Sequence, residues 1–472
     1  MNKANALFQS ALKVTNLGIE NFEQTLREQH VPTIHIDWRP PANGNVVLAN
    51  MLAKLSDERI EKANQEAFNR INQAEPLLVD VVFAKDVLPG MKKNTIGHAG
   101  PPIAWKDMCG PLQGAVLGAV VYEGLAPTLD EAKTLVENGG VEFQSNHALG
   151  AVGPMTGMIT YSMPLWKVEN RRFNNNAYCT FNEGLGKVMR FGANGPEVIE
   201  RLKWLENVLA PALKETLAES GPIALKVVMA KALAMGDEMH QRNNGATSLI
   251  IRELMPHLAK TQQTNPALAD MVLFLTGNDQ FFLNIAMAAG KAMMDPVKNI
   301  PNATVVTAMS RNGTNFGIKI SALGDQWFEA PVNQPEGLYF PGYSAEDANP
   351  DIGDSTIVET FGVGGFSMGA APAVVRFVGA SSVEEAVQYS LDMQLITVGL
   401  SPSLIIPTMD FTGTATGIDA RKVIETGILP VINTGMAHKE PGIGQVGAGI
   451  VKAPYACFAQ AVEAFYHHLY TK

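Results

Sequence analysis

From Gly195 to Asp295 apolar residues recur at three- and four-residue spacing almost without a break. That is the period of a helix, not of a strand. A block this long cannot be laid into a sheet, and strand signals return only at Ala303. At 472 residues the chain also exceeds what one hydrophobic core serves. The expected fold is therefore α+β and multidomain, with mixed α/β regions flanking an inserted all-helical domain. The expected division is an N-terminal α/β domain (1–90), a mixed α+β region (91–194), a helical domain (195–297) and a C-terminal α+β domain (298–472).

The flanks carry clearer local signals. Leu12 to Trp38 reads as one βαβ unit: a strand over Lys13–Ile19, a helix over Asn21–Gln29 and a strand over Thr33–Trp38. It resembles the start of a doubly wound nucleotide- or CoA-binding domain. With one glycine in the turn the binding fingerprint is absent, and a plain α/β start is the preferred reading. Asn50 to Ala74 reads as helix and Leu77–Val82 as strand. Gly90 to Gly192 is mixed and punctuated by glycine. Thr304–Met309 and Asn315–Ile320 read as a hairpin around Ser310-Arg311-Asn312-Gly313. A small-residue stretch, Gly362 to Gly369, precedes a helix over Ser382–Met393.

The densest chemistry lies in Met-Gly-Asp-Glu-Met-His-Gln-Arg-Asn-Asn-Gly, residues 235–245. Asp237, Glu238, His240, Arg242, Asn243 and Asn244 follow an apolar helical run that begins at Ala224. On a helix Asp237 would share a face with His240, and Glu238 with Arg242. Acid, base, guanidinium and amides together suit a polar pocket floor. The plain alternative is a helix C-terminus stopped by Asn243-Asn244-Gly245.

Other motifs are weaker. Gly442-Ile443-Gly444-Gln445-Val446-Gly447 matches G-x-G-x-x-G, but it follows Pro441 rather than a strand, and too little chain remains for a dinucleotide domain. Gly444 and Gly447, beside His438 and Lys439, could instead turn backbone N–H groups toward an anion, or form a tight turn. Arg311, between Ser310 and Asn312, could present a guanidinium to a carboxylate or phosphate, or mark an exposed hairpin tip. Asp351 and Asp354 could hold a divalent cation or orient an amide, and a capped loop is the preferred reading. There is no phosphate-loop motif and no H-E-x-x-H. His98, His147, His240 and His438 have no local ligand spacing, so no metal and no cofactor are expected, a divalent cation being the minor alternative.

Charged residues make up 17% of the chain, below the roughly 25% of an average protein. With 43 glycines and 21 methionines this suggests buried subunit contacts, so a homo-oligomer is expected. A net charge of −10 argues against nucleic-acid or anionic-membrane partners. Cys109, Cys179 and Cys457 are far apart, as in a reducing compartment. No signal peptide and no transmembrane run is found, so a soluble, cytoplasmic protein is expected.

Taken together the segments resemble the YlbE/YahG/AllG family. The matching runs include His98-Ala99-Gly100-Pro101-Pro102-Ile103, Met108-Cys109-Gly110, Met235-Gly236-Asp237-Glu238, Arg242-Asn243-Asn244, Arg311-Asn312-Gly313 and Asp351-Ile352-Gly353-Asp354-Ser355. Later come Gly427 to Thr434, Ala437-His438-Lys439 and Gly447 to Val451. One segment departs: Gln144 to Gly150 holds only His147 where the family is richer in Cys, His and acidic residues, which argues against a metal or redox role there. The resemblance implies an α+β fold with a small helical insertion. It also implies a subunit of an oxamate carbamoyltransferase in allantoin breakdown, working with an FdrA-type subunit and other carbamoyltransferase subunits. That enzyme converts oxalurate and phosphate to oxamate and carbamoyl phosphate, so phosphate is a co-substrate and a small anionic ureide the substrate.

Such chemistry needs cations for two anions, donors for the carbonyl oxygen and a proton for the leaving nitrogen. The residues that suit it are Arg242 and Arg311 for the anions, with Asn243, Asn244, Asn312, Lys439, Gly444 and Gly447 as further contacts. His98 or His438 suits the carbonyl, and His240, tuned by Asp237 or Glu238, the proton. The usual carbamoyltransferase phosphate motif Ser-Thr-Arg-Thr is absent. Two alternatives stand beside this reading. One is a non-catalytic scaffold for an FdrA-like subunit, told apart by whether the polar side chains converge. The other is a CoA- or nucleotide-dependent ligase subunit, told apart by bound CoA or a phosphohistidine.

Overall fold

The computed structural model describes residues 13–36, 38, 40–375 and 382–470. The N-terminal βαβ unit forms as expected. β1 (Val14–Leu17) and β2 (Thr33–Ile36) pair in parallel around the helix Glu20–Glu28, with Val14 opposite Thr33. The helix expected over Asn50–Ala74 is two helices, Val46–Lys54 and Glu58–Gln73. They break where Asp57 turns its carboxylate back onto the Arg59 N–H at 2.8 Å, an N-cap that restarts the ladder.

The centre of the molecule is a five-stranded sheet. β3 (Pro76–Phe83) lies between β7 (Pro164–Asn170) and the short β9 (Ile223–Ala224), with β8 (Asn175–Thr180) and β6 (Ala151–Val152) beyond β7. A parallel pair, β4 (Thr95–His98) and β5 (Glu142–Ser145), stands apart. The C-terminal half carries β10 (Val306–Asn312), β11 (Asn315–Ile320), β12 (Phe328–Pro331) and β14 (Ile352–Gly353) in one sheet. β13 (Glu336–Tyr339), β17 (Val431–Ala437) and β18 (Gln445–Lys452) make a second, and β15 (Thr397–Ile406) pairs with β16 (Thr412–Ile418). Parts of the chain are thus helical and parts sheet, so the fold is α+β.

The regular elements of residues 195–297 are helices apart from the two residues of β9, but they do not make a core of their own. The helix Phe281–Met294 is buried at all 14 of its positions, so it has neighbours on every side. It packs on β3, β7 and β8 and, beyond them, on the short helix Ile357–Thr360. The fit is close: a Cβ at Gly290 would stand 2.6 Å from the Phe361 ring. One continuous core joins Ala67, Val81, Trp166, Phe281, Leu404 and Ala437. The helical block packs as a layer on the central sheet and shares its core.

A second core joins Leu48, Leu55 and Ile60 to Phe316, Phe366 and Phe458. The segment after residue 40 therefore packs with the C-terminal half, and a boundary at residue 90 follows neither core. Among the described residues no helix is long and apolar enough to cross a membrane.

Candidate functional site

The helix Leu225–Ala234 ends before the acidic pair, and Gly236 (φ +85°) and Met239 (φ +63°) lead the chain out of helical geometry. Asn243-Asn244-Gly245 does not stop that helix. It starts the next one, Asn244–Thr261. The facing pairs expected from helical spacing therefore do not exist. Asp237 is buried and caps the new helix, its Oδ2 accepting from Ala246 N–H at 2.7 Å. Its Oδ1 accepts from Arg242 Nε at 3.1 Å. Glu238 is fully buried and accepts from Arg242 N–H (2.5 Å), His240 N–H (3.1 Å) and Asn433 Nδ2 (3.0 Å). Burial pushes its carboxyl up to about 7 against these donors. Asn243 is buried too and ties its Nδ2 to the His240 carbonyl at 3.0 Å. Asp237, Glu238 and Asn243 thus build the loop that displays His240, Arg242 and Asn244.

Those three line a cavity of about 410 Å³. Its other walls come from residues far away in sequence: Arg190 and Phe191, Ser355, and Gly435 and Gln445 on the β17–β18 hairpin. His240 gives its Nδ1 to Glu359 Oε1 at 2.6 Å, which leaves Nε2 for a ligand. Glu359 is fully buried, also accepts from Gly365 N–H at 3.0 Å, and has no partner for Oε2 among the described residues. Gly364 makes room for it, since a Cβ there would strike Glu359 Oε1. The pairing fixes the imidazole ring, the same support that positions a general acid or base.

Arg190 is one of the members of this site that the sequence reading missed, with Glu359, Gln280 and Gln445. It is 6% exposed, its Nη2 donates to the Gly184 carbonyl at 3.0 Å, and its Nε has no partner among the described residues. The Glu183 carboxylate holds the loop by accepting from the backbone N–H groups of Met189 (2.6 Å) and Arg190 (3.1 Å). Burial lowers the Arg190 pKa to about 10, with Glu183 opposing. A guanidinium on a cavity wall suits an anion. Arg242, with its side chain 36% exposed, offers a second guanidinium on the same cavity. Gln241, Gln280, Gln445 and Asn244 add amides that donate and accept.

The remaining sequence candidates lie elsewhere. Arg311 is not at a hairpin tip. It is in β10, fully buried, one residue before the turn's Asn312, with Gly313 (φ +83°) beyond it. Its Nε and Nη2 grip Asp351 (2.6 and 3.1 Å), and Nη1 donates to the Gly353 carbonyl (2.6 Å) and Ser355 Oγ (3.2 Å). Nη2 also reaches Thr434 Oγ1 at 3.1 Å. Its donors are spent on protein groups, so it is a clamp behind the cavity wall at Ser355. Asn312 likewise serves its own turn, accepting from Thr314 and Asn315 N–H and donating to the Pro101 carbonyl.

His98 is sealed in the core, with Nδ1 on the Ala99 carbonyl at 2.8 Å and its pKa pushed down to about 4 by burial. It lines no part of this cavity. Asp354 is consumed by Gly100 and Gly153 N–H, Asn146 Nδ2 and Ser310 Oγ. His438 and Lys439 stand at the β17–β18 connection. His438 Nδ1 accepts from Glu440 N–H, and Lys439 Nζ donates to the Glu346 carbonyl. The Gly444 carbonyl accepts from His438 N–H, and Gly447 is paired within the sheet, so the glycines form a hairpin rather than an anion loop. No group of three or more His, Cys, Asp or Glu among the described residues is arranged to hold a metal ion.

With this geometry in place, comparison with known proteins is informative. A family model described as oxamate carbamoyltransferase subunit AllG matches residues 141–355. The Escherichia coli protein named oxamate carbamoyltransferase subunit AllG is 48% identical over 86% of this chain and 97% of its own. The E. coli uncharacterized protein YahG is 44% identical over 97% of this chain and 98% of its own. A crystal structure of a conserved protein of unknown function from Enterococcus faecalis superposes with a TM-score of 0.85 at 44% identity, over 86% of this chain and 98% of that one. Arg190, Arg242, His240 and Ser355 fall within or at the edge of the stretch that the family model covers. On identity of this order across nearly the whole length of both E. coli proteins, the chain belongs to the AllG family.

Proposed function

We propose that this chain is a subunit of an oxamate carbamoyltransferase-like enzyme and that its reaction is carried out in the cavity between Arg190 and Arg242. The observation that carries this reading is the pairing of two guanidiniums with a Glu-anchored histidine on one cavity of about 410 Å³. Oxalurate and phosphate are both anions, and each needs a cation. In the reaction a phosphate oxygen attacks the ureido carbonyl of oxalurate. The bond from that carbon to the oxamate nitrogen then breaks. The proton that phosphate gives up ends on the leaving nitrogen, passed by His240 through Nε2. The products are carbamoyl phosphate and oxamate, and no atom is left over. Arg190, with its fixed guanidinium, suits the planar carboxylate, and Arg242 at the more open side suits phosphate. The amides of Gln241, Gln280 and Gln445 suit the urea N–H and carbonyl groups.

Working with an FdrA-type subunit and other carbamoyltransferase subunits, as a homo-oligomer in the cytoplasm and in allantoin nitrogen catabolism, is part of the same proposal. The relative's name as a subunit and the chain's low charged fraction of 17% support it. The test is to assay the purified chain, with and without an FdrA-type partner, for phosphate-dependent formation of carbamoyl phosphate from oxalurate. Product that requires phosphate supports the reading. No product in either mixture, with both proteins folded, sinks it and leaves the scaffold role.

A further inference from the structure

Each guanidinium on the cavity already has a carboxylate of its own. Asp237 Oδ1 takes Arg242 Nε at 3.1 Å, and Glu183 stands beside Arg190 and accepts from its N–H at 3.1 Å. Two further carboxylates, Glu238 and Glu359, are fully buried and share one histidine. His240 gives its Nδ1 to Glu359 Oε1 at 2.6 Å and its backbone N–H to Glu238 Oε2 at 3.1 Å. Even a cationic His240 balances only one of them. An anion that enters the cavity therefore meets an uncompensated negative charge, and like charges in a buried site favour a proton on one of them.

The hydrogen bonds decide which carboxyl takes that proton. A protonated carboxyl needs an acceptor for its O–H. Glu359 Oε2 has no partner among the described residues. Glu238 Oε2 faces the Asn433 amide, which donates Nδ2 at 3.0 Å while its own buried Oδ1 has no partner among the described residues. Turning the amide over presents Oδ1 to a Glu238 O–H, so Asn433 can serve either protonation state. The Arg242 N–H on Glu238 Oε1 and the His240 N–H on Oε2 keep their places in both states, so the loop need not move. We propose that anion binding in this cavity takes up a proton, that Glu238 holds it, and that the Asn433 amide turns over to receive it. The proposal rests on the reading of this cavity as an anion site. The charged groups around Glu238 are Asp237, His240 and Arg242 of its own loop and Glu359 of the helix Ile357–Thr360, while β17 offers the neutral Asn433. Burial, with Glu359 adding to it, lifts the Glu238 carboxyl to about 7, so the proton exchanges near neutral pH. The anion favours the protonated form. Affinity is therefore highest below pH 7 and falls as pH rises through it.

The experiment is calorimetric titration of the full chain with oxamate, whose carboxylate does not titrate near neutral pH. Proton uptake is read from the dependence of the binding heat on the ionisation heat of the buffer. Uptake should rise from near zero at pH 6 to roughly half a proton or more at pH 8, and affinity should weaken by about fivefold or more over that range. Glu238→Gln keeps an acceptor for both backbone N–H groups and a donor for Asn433 Oδ1. It should still bind oxamate but lose most of the uptake and most of the pH slope, whereas a merely structural role would weaken binding and leave the proton count alone. If Glu238→Gln does not fold, the infrared difference spectrum of the wild type decides: oxamate should bring up a protonated-carboxyl band, and its absence overturns the proposal. Binding without proton uptake, or uptake undiminished in folded Glu238→Gln, overturns this inference alone. No oxamate binding by the folded wild type overturns the anion site and this inference with it.

Discussion

Arg190 is buried and Arg242 is partly open, and the difference sets what their variants should do. Arg242→Lys keeps the charge and loses the two-pronged geometry, so anion affinity should fall by about 10- to 100-fold, or roughly 1.5–3 kcal/mol, with an unchanged melt. Arg311→Met is the contrasting case. It leaves Asp351 buried without its bidentate partner, and stability should drop by about 3–5 kcal/mol, read from urea unfolding. Any phosphate affinity lost without loss of stability would return Arg311 to the binding site. His98 gives a pH signature. Its folded pKa, about 4, lies below the ordinary histidine value of 6.5, so between these values the unfolded chain binds more protons. The stability it contributes is present above pH 6.5 and is lost as pH falls toward 4, on the order of 3 kcal/mol in all. His98→Asn should flatten the fall of melting temperature over that window. An unchanged slope would mean that the ring is not held neutral. The sequence offered Arg311 as an exposed hairpin tip, but the turn lies one or two residues later, which puts the arginine inside a strand. Arg190 was legible only as an arginine between glycines 184, 186 and 192, all with positive φ, and glycine punctuation does not name the cavity it serves.

At the scale of elements, the segment 235–244 joins two helices and is held by carboxylates that point inward. Asp237 both caps the helix Asn244–Thr261 and anchors Arg242. Asp237→Ala should therefore cost about 1 kcal/mol of stability, the usual worth of a cap, and also weaken anion binding. Asp237→Asn keeps an acceptor for the cap and loses the charge facing Arg242, so stability should recover while affinity does not. A parallel loss and recovery of both would make the residue purely a cap. Asn fits either end of a helix, which is why a C-terminus stood as the plain alternative for Asn243-Asn244-Gly245 when it is an N-terminus. Where the sequence pattern was unambiguous the elements are in place: the alternation of Val14–Leu17 and Thr33–Ile36 about an amphipathic helix, and the Asn-Gly signal that closes β10 and β11.

For the whole molecule, helical periodicity shows that residues 195–297 are helices but not what covers them. Phe281–Met294 is buried on all sides, and its neighbours β7, β8 and the helix Ile357–Thr360 come from both flanks. The excised segment 195–297 should therefore show no cooperative thermal transition, because its central helix would lose its cover. A sharp two-state melt of that segment would restore the independent helical domain. The same interleaving builds the cavity, which draws walls from Arg190, His240, Ser355 and Gln445, far apart in the chain. The measurement that reaches the central claim most directly is a steady-state comparison of the wild-type enzyme, reconstituted with its FdrA-type partner, against Arg190→Lys and Arg242→Lys. The readout is carbamoyl phosphate formed while oxalurate and phosphate are varied separately. The account predicts that Arg190→Lys raises the KM for oxalurate and Arg242→Lys the KM for phosphate, each by about tenfold or more. Unchanged kinetics in both folded variants would place the reaction outside this cavity.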